Sequence, residues 1–273
     1  MQRKIYIGIV VVLLVVIAYL ANQLMRQRSV VNDGKIWSTL YQQQAAEYRA
    51  LCFQAYNIAK ERVDQAVKVH TDTPYAVITD LDETLLDNSH YDGLRALEDS
   101  DFRQSDWKSW TSKGAADTVP GAPAFFKYAA SKGVAVFYIT NRSSAERAGT
   151  LRNLVRYDLP DTGNLILQTD KNSSKEARRD VIVHGKHPYK VILLCGDNLP
   201  DFDKAYDNKP SLAERKAATD RLKALFGDKY IIIPNLEYND WEGALYGFKY
   251  STPDKEKDNI VLKLLDVDTA AKK

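Results

Sequence analysis

The stretch ITDLDETLLDN, residues 78–88, sets carboxylates at Asp80, Asp82, Glu83 and Asp87 directly after a short apolar run, and KVILLCGDN brings a further one, Asp197, to the end of another. Carboxylates brought together repel unless a cation lies between them. Hard divalent ions take oxygen ligands, and Mg²⁺ uses one or two carboxylates together with substrate phosphate. The sequence also holds an electropositive complement: Thr140 and Asn141 in FYITNR can donate hydrogen bonds, and Lys175, opening SKEARRD, is a point charge for an anion. Together these describe a phosphate pocket. In such a pocket one carboxylate can attack phosphorus and a second carboxylic acid, two residues on, can protonate the leaving oxygen.

Blander roles compete for the same residues. Carboxylates after a strand can cap a helix and stabilise its first turn, and Asp87 fits that role better than a ligand's. Glu83 and Thr84 can tie down the turn. An EF-hand loop is excluded because Leu85 stands at the sixth position, where glycine is needed. His70, His90, His184 and His187 have no mutual ligand spacing, which argues against zinc and histidine catalysis. Arg142, Arg147, Arg152 and Arg156 fall near helical spacing and read as a solvated face. Cys52 and Cys195 sit in a helical and an apolar stretch, where buried, unbridged thiols are expected.

The elements that must position the polar residues alternate. The strands are YAVITD, VAVFYITN, KVILLCGD and KYIIIPN; helical patterns run from Pro120 to Lys132 and through SSAERAGTLRNLVRYD, SKEARRDVIVHG and SLAERKAATDRLKALFG. A single long helix is expected from Ile36 to about Val69, and a charged helix from Asp254 that frays into the terminal lysines. Strand and helix alternating in this way predict an α/β fold, a Rossmann-like parallel sheet with helices on both faces. Ligands of such sheets bind beyond the strands' carboxyl ends, where Asp80, Asp82, Thr140, Asn141 and Asp197 fall.

Arg3 and Lys4 precede an apolar run from Ile5 to Ala21, expected to be an uncleaved N-terminal membrane anchor, with a signal peptide cleaved near Val16 or Ala18 as the alternative. Over the whole chain 38 Lys and Arg nearly balance 36 Asp and Glu, for a net charge of +2. No global basic field argues for a nucleic acid polymer as partner.

DLDET at Asp80–Thr84, TNR at Thr140–Arg142, Lys175 and GDNLPDF at Gly196–Phe202 resemble the four motifs of the haloacid-dehalogenase (HAD) superfamily phosphatases. The longer strings DLDETLLDNSHY, VPGA, FYITNR, GDNLPDF and PNLEYNDWEGAL resemble the class C acid phosphatases of the bacterial lipoprotein e, or 5′-nucleotidase, type, from about Ile36 to Leu265. The resemblance implies a HAD-like core at about 72–90 and 118–250, with a small helical cap from about 36–70, 90–117 and the C-terminal helix. Residues 1–30 then form the anchor or signal, and 31–273 the phosphatase domain. It further implies that Asp80 is the nucleophile and a metal ligand, and that Asp82 is the general acid and base, ligating through its carbonyl. Asp197 would be the third ligand of Mg²⁺, and Asp201 would hold a metal-bound water. Thr140, Asn141 and Lys175 would bind phosphate, and Trp107 and Tyr238 would stack on a nucleobase. Members of this type carry a cysteine just after the apolar run; here none follows it, so a helix rather than a lipid is the expected tether.

The expected protein is therefore an exported, Mg²⁺-dependent acid phosphatase on the periplasmic or cell-surface side of a membrane, acting on phosphomonoesters such as nucleoside 5′-monophosphates through an aspartyl-phosphate. A homodimer is compatible with this. The alternatives are a catalytically silent nucleotide- or phosphate-binding surface protein and a phosphotransferase on the same fold.

Overall fold

The apolar runs assemble into one parallel sheet. The computed structural model describes residues 2–24, 29–169 and 173–268. Its strands are β1 (Tyr75–Thr79), β2 (Leu86–Asp87), β3 (Asp117–Thr118), β4 (Ala135–Ser143), β5 (Leu165–Gln168), β6 (Lys190–Gly196) and β7 (Tyr230–Ile232). The helices are α1 (Gln2–Leu24), α2 (Val30–Gln44), α3 (Ala46–Ala66), α4 (Ser89–Leu97), α5 (Gln104–Lys113), α6 (Ala122–Ser131), α7 (Arg147–Arg156), α8 (Glu176–His184), α9 (Leu212–Leu222), α10 (Asp240–Leu245) and α11 (Asp254–Leu264). The sheet runs β5-β4-β1-β6-β7, all parallel, while β2 and β3 pair antiparallel in a short ribbon.

Side chains alternate across a strand, and burial follows that alternation. Val77, Val136, Tyr138, Leu193, Cys195 and Ile231 enter one core with α3 and α6; Ala76, Ile78, Phe137, Ile139 and Leu194 enter another with Ile182 of α8. Helices thus cover both faces, as the alternating pattern predicts. Both cysteines are buried and unbridged.

β1 lies between β4 and β6, so the chain departs to opposite sides of it, which makes a crevice at the strands' carboxyl ends. Thr79 pairs with both Tyr138 and Cys195. Asp80, Thr140 and Asp197 therefore lie at one edge of the sheet, a step or two past the last residues that β1 pairs with β4 and β6.

Several expectations need correction. The long helix is two helices, broken at Ala45, whose backbone is extended (φ −77°, ψ 127°) although no Gly or Pro stands nearby. The break follows from what each half packs on. α2 lies against α4 and α11, with Gln42 bonded to Asp87 (2.9 Å) and Gln43 to Ser89 (3.1 Å), whereas α3 buries Tyr48, Cys52, Tyr56, Ala59 and Val63 in the core that backs the sheet. So α3 covers the sheet instead of joining the cap expected at 36–70. LILQ, which forms the edge strand β5, was not among the expected strands.

The apolar N-terminal run is helical in α1, yet among the described residues no helix is long and apolar enough to cross a membrane. The expected membrane span is therefore unsupported by the structure. The terminal lysines lie outside the described residues.

Candidate active site

β1 stops at Thr79, and Asp80 is pinned by its own N–H, which donates to Cys195 O (2.9 Å). Lys175, at the start of α8, is buried with its Nζ 2.5 Å from Asp80 Oδ1 and 2.6 Å from Asp201 Oδ1. Carboxylate oxygens of Asp80, Asp197 and Asp201 all lie within 4.8 Å of one another. Asp201 can come this close only because residue 196 is glycine: a Cβ there would stand 2.4 Å from Asp201 Cβ.

Asp197 is held from three sides. Thr84 Oγ1 donates to its Oδ1 (3.0 Å), and Asn235 Nδ2 (2.9 Å) and Asn239 Nδ2 (2.6 Å) donate to its Oδ2. Asn239 reaches this position with φ 127° and ψ −177°, a backbone region that costs a non-glycine residue ~1–3 kcal/mol. The bond to Asp197 helps offset that strain.

Burial pushes the Asp80 carboxyl well above the usual range, with Lys175 opposing and Asp201, Asp197 and Asp82 reinforcing. Burial likewise pushes Asp197 up to about 6, Asp201 adding to the rise while the two asparagines oppose it. Burial alone would lower Lys175, but Asp201 and Asp80 outweigh it, and its affinity for the proton is raised. One buried and two half-buried carboxylates with one lysine leave negative charge uncompensated. This donor set fits a hard divalent ion.

A pH dependence follows for the ion-free protein. Folded Asp197 keeps its proton up to about 6, whereas the unfolded carboxyl releases it near 3.8. Between those values the folded state binds more protons, so stability falls as pH rises, by roughly 3 kcal/mol from this group. In chelator, melting temperature is expected to drop across that window, and divalent ion should remove the drop. A flat profile in chelator contradicts the charge imbalance.

Asp82 does not share this cluster. β1 has ended at Thr79, and Leu81 between the two aspartates is fully buried. Asp82 Oδ1 accepts from Arg142 Nη2 (2.6 Å), Arg142 Nε (3.1 Å) and Asn88 Nδ2 (2.9 Å), while its Oδ2 accepts from Arg142 Nε alone (3.1 Å). Arg142 is thus no solvated residue: it lies on β4, buried, with Nη1 on Thr150. Only Arg147, Arg152 and Arg156 of that series are exposed, on α7.

Thr140 is buried and its Oγ1 accepts from Arg142 N (3.1 Å). Asn141 is exposed, and Arg178 joins it (2.6 Å) to Thr140 O (2.7 Å) and Ser174 O (3.1 Å), tying the end of β4 to the segment that carries Lys175. Asp201, expected to act through a water, stands in the acidic cluster itself. Glu83 holds the turn with φ 56° and Oε1 accepting from Asn88 N (2.8 Å), and Asp87 accepts from Ser89 N (2.9 Å). Arg142, Arg178, Asn88, Asn235 and Asn239 were not among the expected site residues.

Beside Asp197 opens a cavity of about 580 Å³, reaching from Asn198 and Asn239 to α4, α5 and α11. Tyr91, Phe102, Trp107, Tyr238, Tyr246 and Tyr250 line it, a size and character suited to a small organic ligand. Trp107 packs edge-on to Tyr91 (5.1 Å) beneath the Arg142 guanidinium (5.7 Å). The Tyr238 hydroxyl donates to Glu83. The two rings expected to stack on substrate therefore face one cavity.

The family profile described as HAD superfamily, subfamily IIIB (Acid phosphatase) matches residues 21–241. Two solved structures of the class C acid phosphatase from Bacillus anthracis, one with tungstate bound, superpose with a TM-score of 0.81 at 35% and 36% identity, covering 87% of this chain and 98% of theirs. Acid phosphatase 1 of Solanum lycopersicum is 28% identical over 135 residues, 45% of this chain and 50% of that protein, so the chain spans about half the length of this curated relative.

Proposed function

The chain belongs to the acid phosphatases of HAD subfamily IIIB, a family of phosphoric monoester hydrolases, and from that premise we propose that it hydrolyses nucleoside 5′-monophosphates and related phosphomonoesters through an aspartyl-phosphate on Asp80. The observation that carries the reading is the buried Lys175 bridging Asp80 and Asp201, in a cluster with Asp197, whose partner Asn239 lines an aromatic cavity. Tungstate in the Bacillus anthracis relative, an oxyanion, supports an anion site in the family.

Asp80 attacks phosphorus and the ester P–O bond breaks, the leaving alkoxide taking a proton from Asp82. Asp82 then removes a proton from water as its oxygen attacks phosphorus, and the Asp80–phosphorus bond breaks to release phosphate. Asp82 Oδ2, with one hydrogen bond where Oδ1 has three, is the oxygen free to carry that proton. Lys175, Thr140 and Asn141 bind the phosphoryl oxygens, and Trp107 and Tyr238 hold the base between ring faces. Asp80, Asp197, Asp201 and the Asp82 carbonyl would hold Mg²⁺, which would supply charge neutralisation at phosphorus. The N-terminal apolar run supports action on the exported side.

A substrate panel tests this. Aryl phosphate and nucleoside monophosphates should be hydrolysed with Mg²⁺, activity should vanish in EDTA, and intact expressing cells should hydrolyse added nucleotide. Trp107→Ala and Tyr238→Ala should each weaken nucleotide recognition by about 1–3 kcal/mol, the worth of a base–aromatic stack, with less effect on small alkyl phosphates. Full activity in EDTA ends the metal reading, and unchanged preference in both variants ends the stacking one.

A further inference from the structure

A second acidic cluster stands on the cavity wall, built from residues that the hydrolytic reading does not use. Carboxylate oxygens of Glu83, Asp92 and Glu237 lie within 4.8 Å of one another. Glu83 comes from the loop after β1, Asp92 from the first turn of α4, and Glu237 from the segment between β7 and α10. Glu83 is satisfied, with Oε1 accepting from Asn88 N (2.8 Å) and Oε2 from the Tyr238 hydroxyl. Glu237 is not. It is 3% exposed, and neither of its carboxylate oxygens makes a well-formed hydrogen bond, the Thr39 hydroxyl and the Asp92 carboxyl standing beside it; Asp92 Oδ2 is buried in the same condition.

Basic side chains do not answer this charge. Among the described residues none pairs with Glu83, Asp92 or Glu237, and the lysines and arginine of the cavity are engaged elsewhere: Lys35 with Glu242 (3.2 Å), Arg95 with Asp106 (2.6 Å), Lys257 with Asp101 (2.5 Å). Burial raises the Asp92 and Glu237 carboxyls, the latter up to about 7, with Lys35 opposing. Buried carboxylates left unpaired must share protons or take a cation. Asp92 and Glu237 both line the cavity, which gives an ion a route in. Three protein carboxylates in a largely enclosed place suit Ca²⁺, which takes many protein oxygens at ~2.3–2.6 Å, better than Mg²⁺, which retains several waters.

We propose that Glu83, Asp92 and Glu237 bind a divalent cation of the calcium type, at a site separate from that of Asp80, Asp197 and Asp201. Bound there, the ion joins α4, the loop after β1 and the segment bearing Tyr238. It thereby fixes one wall of the cavity through the Glu83–Tyr238 contact.

The test is ion counting on the full chain, dialysed against Ca²⁺ with saturating Mg²⁺. One Ca²⁺ per chain is expected in the unaltered protein and in Asp197→Asn, and none in Glu237→Gln or in Asp92→Asn. Tb³⁺ luminescence sensitised by Tyr238 should report the same site, with at least tenfold weaker binding in the last two variants. Thermal melts establish that each variant is folded, and the two acid-to-amide changes fall on different elements, so one can serve if the other does not fold. Absence of bound Ca²⁺ in the unaltered protein, its loss in Asp197→Asn, or its retention in both amide variants would overturn the proposal. Because the count needs no turnover, its failure is distinct from failure of the hydrolytic reading.

Discussion

Asp80→Asn is expected to lose hydrolysis by on the order of 10⁴-fold or more in kcat, the scale on which removing a nucleophile acts, while the sheet stays folded. Phosphate monoester hydrolysis is among the slowest uncatalysed reactions, with accelerations of up to ~10²¹ reached by enzymes, so little turnover survives without the attacking group. The amide nearly matches the carboxylate in shape and can still accept from Lys175, which also keeps its 2.6 Å partner Asp201. Stability should move the other way. Burial raises the Asp80 carboxyl well above its ordinary range, so in ion-free protein at neutral pH its ionised form is a cost that the amide does not carry. The ion-free variant should therefore melt no lower than the parent, bind divalent ion more weakly through the loss of one carboxylate, and still bind substrate when the ion is present. Single-turnover measurements with calorimetry separate these effects. Ordinary turnover by Asp80→Asn would end the proposed mechanism.

How far the sequence discloses this site depends on whether each residue has a local reason to be where it is. Asp80, Asp197 and Thr140 each follow the apolar part of a strand, and the strand period and its polar stop are both visible within a few residues. Lys175 opens a helix between two such strands and is legible for the same reason. Arg142 shows the opposite case. Its spacing to Arg147, Arg152 and Arg156 imitates a helix, but the capping box formed by Ser143 and Glu146 starts the helical region only after it. That S-x-x-E signature was the signal that would have moved Arg142 onto the strand. Asn235 and Asn239 reach Asp197 across 38 and 42 residues, and Asp92 meets Glu237 across most of the chain; no local pattern marks such pairings. The break at Ala45 has the same origin, since its two helices diverge to pack on different surfaces, α4 and α11 for one and the sheet for the other.

Arg142→Ala should be the second severe lesion, because it releases the group that moves the proton. The guanidinium gives Asp82 three of its hydrogen-bond contacts and leaves it only Asn88 when removed. General acid catalysis is worth about 10²–10⁴-fold, and that range bounds the loss. The loss should depend on the leaving group: a nucleoside 5′-alkoxide needs the proton, whereas p-nitrophenolate departs as a stable anion. Hydrolysis of nucleotides should therefore fall much further than that of p-nitrophenyl phosphate. Arg142→Lys should lie between, since lysine keeps the charge but not the planar fork that grips both oxygens. Breaking a largely buried pair costs about 3–5 kcal/mol, and the lower end applies here because Asn88 remains. Trp107 also loses the cation over its ring, which adds a rise in KM for nucleotides to the fall in kcat. If Arg142 acts through Asp82, the double variant Asp82→Asn with Arg142→Ala should be scarcely slower in kcat than Asp82→Asn alone. An equal loss for both leaving groups, or additive losses in the double variant, would show that Arg142 supports the fold and does not position the acid.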